Sequence, residues 1–99
     1  MKETIIKALI AKACNPHTPH NLLQEISSAL VNEAKPEKRN EVRRLIDYTL
    51  ARKGQEGICE ISQVLMVFCG EITISENETN EILNKSVFYV EFLQSKNLH

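Results

Sequence analysis

The segment Gly57 to Ile74 constrains the fold more than any other stretch of the chain. Ile58, Ile61, Val64, Leu65, Phe68 and Ile72 recur at helical spacing. Cys59, Met66, Val67 and Cys69 add apolar surface on the other sides. Only Glu60, Gln63 and Glu71 are left as a narrow polar stripe. A helix apolar nearly all round has to be enclosed by other elements, so the segment is expected to form the central helix of a small bundle. It is too short and too polar to cross a bilayer, which takes about 20 apolar residues.

The flanking sequence supplies helices to enclose it. Ile5, Ile6, Leu9, Ile10 and Ala13 predict a first helix over 2–14, stopped by Asn15-Pro16. Thr18 as N-cap and Pro19 at the first helical position open a second over 19–34. Its expected buried stripe is Leu22, Leu23, Ile26, Ala29, Leu30 and Ala34. Pro36 opens a third, running to Lys53, with Val42, Leu45, Ile46, Thr49 and Leu50 inward and Gly54 as its stop. Gly54 to Gly57 reads as the linker into the central helix. Ile72-Thr73-Ile74 alternates like a short extended connector. Ser75-Glu76-Asn77-Glu78 has the form of a capping box. It opens a last helix to about Gln94, with Ile82, Leu83, Ser86, Tyr89, Val90 and Leu93 on one face and fraying from Ser95 onward.

The expected fold is therefore all-α, one domain over 1–99, a compact bundle of four to five mostly antiparallel helices. An alternative comes from a faint internal similarity. Glu25 to Val31 resembles Glu60 to Met66, and Asn40-Glu41-Val42 resembles Asn80-Glu81-Ile82. Two helical hairpins of this kind, behind an N-terminal capping helix, resemble HEAT-type repeats.

The charge balance excludes some functions. A net charge of −1 provides no global field toward nucleic acid or an anionic membrane. Cys14, Cys59 and Cys69 are odd in number and include no Cys-x-x-Cys spacing. Cys59 and Cys69 sit about 15 Å apart on one helix, too far to bond. All three are read as reduced, the two in the central helix as buried and inert, and the location as cytoplasmic. No secretory signal is read at the N-terminus, because Lys2, Glu3 and Lys7 interrupt its apolar run.

Three places carry side chains that invite a functional reading. Cys14, His17 and His20 have spacing that suits zinc, but no fourth ligand stands near them in the sequence, and no metal or cofactor is expected. Arg39, Arg43 and Arg44 lie in a basic segment, Lys35 to Lys53, that can face an acidic partner or phosphates. Local pairing of Glu41 with Arg44 and of Arg43 with Asp47 is the competing use of those charges. Phe88 and Phe92, one turn apart, make the last helix the most aromatic part of the chain, and an exposed aromatic pair suits a partner surface. The competing use is a broad core-facing stripe.

No motif for catalysis is present: no phosphate loop, no Gly-x-Ser-x-Gly, no His-Glu-x-x-His. The expected function is a small non-enzymatic, cytosolic protein-interaction module, an adaptor, inhibitor or immunity-type protein. Its length and helix pattern are loosely similar to those of the bacteriocin immunity proteins, which are small helical bundles. A second copy of the chain is a further candidate partner, which would complete the enclosure of a central helix this apolar. The alternative function is a nucleic-acid-associated regulator acting through 35–53.

Overall fold

The computed structural model describes residues 2–69 and 75–97. Within them the fold is all-α, with α1 (Lys2–Cys14), α2 (His20–Glu33), α3 (Arg39–Lys53), α4 (Gln55–Glu60), α5 (Ser62–Phe68), α6 (Glu76–Lys85) and α7 (Val87–Asn97). A 3-10 turn, Pro36–Lys38, leads into α3. These are the five expected helices with two of them broken. The expected connector at Ile72 to Ile74, together with Gly70 and Glu71, lies outside the described residues.

The first break divides the central helix at Ile61, whose φ and ψ of −103° and 11° leave the helical range. The backbone path continues through it, since Ile61 N–H donates to Gly57 O and Leu65 N–H to Ile61 O. The apolar period runs on unchanged across this kink, so spacing alone does not reveal it. Ile58, Ile61, Val64 and Leu65 are all fully enclosed, and they are enclosed within one chain. The expectation that this segment needs a second copy to cover it therefore loses its motive.

The second break falls at Ser86, expected on a buried stripe. It instead precedes α7, and its Oγ accepts from Tyr89 N–H at 3.4 Å. A serine that caps the backbone three residues on competes with helix continuation. The break resets the helical phase. Tyr89 and Phe92 turn into the core, while Leu93, expected to be inside, is 36% exposed. The helix then continues to Asn97, past the expected fraying point.

Other ends follow the sequence more closely. Ser75 Oγ accepts from Glu78 N–H at 3.1 Å, the N-cap the sequence predicts. Gly54 has φ of +77° and its N–H donates to Leu50 O, closing α3. Gly57 is no linker residue: it is buried inside α4. A Cβ there would stand 2.6 Å from the Thr49 methyl, so α3 and α4 cross at a point where only glycine fits. Thr18 is not the cap of α2, because Pro19 occupies that position. The Thr18 hydroxyl donates back to Lys12 O at 2.7 Å and finishes α1 instead.

The core joins Ile6, Ile10 and Ala13 of α1 to Leu23, Ile26 and Leu30 of α2, Val42, Leu45 and Ile46 of α3, and the α4–α5 segment. Ile5 and Leu22, placed inside by spacing, lie at its margin and are exposed. The internal similarity has no structural counterpart. Glu25 to Val31 sits in unbroken helix, whereas Glu60 to Met66 straddles the kink.

Candidate functional site

The third helix presents two classes of cation. Lys38 lies 3.6 Å from Glu41, Arg52 3.6 Å from Glu91 of α7, and Lys53 2.8 Å from Glu60. The hydrogen bond and charge of Glu60 hold the Lys53 ammonium above its ordinary pKa. Arg39 donates through Nη2 to Asn32 O at 3.1 Å and so ties α3 to the end of α2. Arg43 and Arg44 differ from these. Both are exposed, and among the described residues neither forms an ion pair.

The local pairs expected for these two arginines are not formed. Glu41 is occupied elsewhere: one oxygen faces Lys38 and the other accepts from Tyr89 OH at 3.3 Å. No ion pair joins Arg43 to Asp47, although both line the same cleft. That cleft lies between α2 and α3, encloses about 310 Å³, and is also lined by His20, Gln24, Ser27 and Ser28. Leu23 and Leu50 line it too, so Arg43 stands in a recess of mixed polarity, and Arg44, one residue on, projects from a different side of α3.

The aromatic residues are placed otherwise than a partner surface requires. Phe92 is 4% exposed and packs on Tyr48, with ring centroids 5.9 Å apart. Phe88 is half-buried against the core, with the Lys53 ammonium 5.9 Å from its ring centroid. The α7 aromatics therefore fasten α7 to α3. Burial in the first place, and the charge and hydrogen bond of Glu41 in the second, push the Tyr89 phenol up to about 12. Tyr48 OH donates to Glu91 Oε2 at 3.4 Å across the same seam. The basic third helix and the acidic last helix thus meet in part, at Arg52 and Glu91.

Cys14, His17 and His20 are not brought together as ligands. His17 sits on the exposed turn, where its N–H donates to Asn15 Oδ1, and His20 Nε2 lies 3.3 Å from Gln24 Nε2. Cys14 is bonded to Cys59, with Cα atoms 5.6 Å apart. This corrects the reading of all three cysteines as reduced. It also corrects the placement of Cys59 in the buried, inert part of the central segment, since Cys59 is exposed. Cys69 is buried, as expected. Among the described residues no group of three His, Cys, Asp or Glu side chains is arranged to hold a metal ion. His99 lies outside the described residues. No described helix is long and apolar enough to cross a membrane.

No protein-family model matches the chain, and neither the curated proteins nor the solved structures give a significant match.

Proposed function

We propose that the chain is a non-enzymatic protein-interaction module, of adaptor, inhibitor or immunity type, that docks through the outer surface of α3 onto an acidic surface of a protein partner. The observation that carries this reading is the contrast within one helix. Arg52 and Lys53 are matched by acids of the same chain, as is Lys38 in the turn that leads into α3, while among the described residues Arg43 and Arg44 stand exposed without one. A matched surface cation adds little to stability. An unmatched one gains most from an external carboxylate, and arginine suits that contact because its fork meets a carboxylate at two points.

Docking of this kind rests on a few charge-assisted contacts at the partner surface. Affinity capture from host lysate, with and without nuclease, tests the reading. The expected result is one stoichiometric protein partner, retained after nuclease treatment and lost when Arg43 and Arg44 are both changed to Glu. Nucleic-acid binding is expected to be undetectable for the wild type and for an Arg39→Ala, Arg43→Ala, Arg44→Ala variant. Recovery dominated by nuclease-sensitive material, with affinity falling steeply as salt rises, would instead favour phosphate contacts along 35–53.

A further inference from the structure

The end of α1 is held beside α4 by more than its sulfur bond. Gln55 Nε2 donates to both Ala13 O, at 3.3 Å, and Asn15 O, at 2.7 Å. Asn15 N–H and the Thr18 hydroxyl both donate to Lys12 O. These contacts engage the carbonyls that a helix end leaves open. None of them involves a sulfur atom, so each remains available to hold Cys14 opposite Cys59 when both are thiols.

The two sulfurs differ in access. Cys59 is exposed on α4, and Cys14 is half-buried at the last turn of α1. Both line a groove of about 630 Å³ between α1 and α5, with Ile10, Ala11 and Met66 as its apolar wall. Exposed Lys7 and Gln63 also line it, so the groove is open to water. A small thiol can enter it and reach Cys59 before Cys14.

We infer that Cys59 is a site of reversible thiolation by low-molecular-weight disulfides of the glutathione class, with Cys14 as the thiol that resolves the adduct. The Cys59 thiolate attacks a small-molecule disulfide, forming one mixed S–S bond and expelling one small thiolate. The Cys14 thiolate then attacks Cys59 Sγ, forming the internal bond and expelling the second. Two electrons pass from the protein dithiol to the small disulfide. The two thiol protons end on the two released small thiols. Exchange of this kind proceeds through a mixed disulfide, and its rate depends on access to the attacked sulfur. Cys69 is buried and serves as the internal reference.

The test is to reduce the folded chain, remove the reductant, add glutathione disulfide, and follow intact mass and peptide maps over time. The wild type is expected to pass through a single adduct at Cys59 to a product two hydrogens lighter than the dithiol, mapped to Cys14–Cys59. The Cys14→Ser variant is expected to stop at a stable Cys59 adduct. The Cys59→Ser variant is expected to react at Cys14 more slowly than the Cys14→Ser variant reacts at Cys59, because the less accessible thiol reacts more slowly. Persistence of the adduct in the wild type, or modification of Cys69 as fast as Cys59, would overturn the inference. Circular dichroism checks that each variant is folded. If a variant is not, alkylation of the reduced wild type decides: the order Cys59, then Cys14, then Cys69 supports the assignment, and any other order overturns it.

Discussion

Among the described residues, the ten largest fully buried side chains all lie between Ile6 and Leu65, on α1 to α5 and the kink between the last two. The C-terminal pair is different: α6 buries no residue, and α7 contributes Tyr89 and Phe92 to the core. Where the first region is packed by fully enclosed aliphatic side chains around a buried Thr49, the second is attached by Tyr89 and Phe92, by the half-buried Ile82, Leu83 and Phe88, and by a polar seam of Tyr89 with Glu41, Tyr48 with Glu91 and Arg52 with Glu91. A protein built this way has one part whose loss is loss of the fold, and another that can open on its own. Native-state hydrogen exchange should therefore find α6 and α7 amides exchanging through local opening, while those of Ile26, Leu45 and Leu65 exchange only on global unfolding.

The largest expected effect is in the first region. Leu65→Ala removes a fully enclosed side chain from the central segment and should cost about 3–5 kcal/mol, the range for large-to-small changes in a packed core. Denaturant unfolding measures it, and every probe should move together. A loss under about 1 kcal/mol would mean that the core relaxes around the site and that the two regions are less unlike than their burial implies.

A smaller effect is expected at the seam. The folded Tyr89 phenol has its pKa raised to about 12 from an ordinary 10. Its neutral form is thus favoured by folding. That contribution is complete below pH 10 and is lost as pH rises through 12, a change of at most about 2–3 kcal/mol. The stability of the wild type relative to Tyr89→Phe, compared point by point over this window, should fall as pH rises. Parallel curves would show that the seam does not depend on the phenol proton.

The smallest is at the start of α6. Ser75→Ala removes one cap hydrogen bond and should cost about 0.5–1 kcal/mol, felt mainly as faster exchange within α6. An equal slowing or quickening in α3 would mean that the C-terminal pair opens only with the rest.

The legible parts of this molecule are those decided within a few residues. Ser75 with Glu78, Asn15 before Pro16, and Gly54 after Lys53 each carry a local physical signal, and each marks a helix end where the structure has one. The third helix was equally readable, because Val42, Leu45, Ile46 and Thr49 form one uninterrupted stripe and all four are buried. Ile61 and Ser86 were not. Apolar periodicity passes through both, and the competing backbone geometry leaves no trace in it. Phe92 was ambiguous for a related reason, since its face depends on the phase that the break at Ser86 resets. The meeting of Cys14 with Cys59 was illegible on different grounds. Spacing tells which side of a helix a residue occupies, not which other helix lies there. Arg43 and Arg44 show the same limit: their expected local acids are within reach along the helix, and the acid at Glu41 is drawn instead to Tyr89 on a distant one.

The bond between Cys14 and Cys59 also changes how the chain carries load. It closes a covalent ring across a sequence separation of 45, with α2 and α3 inside it and α5 to α7 outside. Tension applied at the two termini crosses the ring at the sulfurs and bypasses both enclosed helices. At roughly 3.3–3.6 Å per residue, about 150 Å of contour is withheld from extension while the bond stands. A single backbone cut anywhere between the two cysteines would likewise leave the pieces tethered, so the hairpin of α2 and α3 is kept within reach of its core by covalent means as well as by packing.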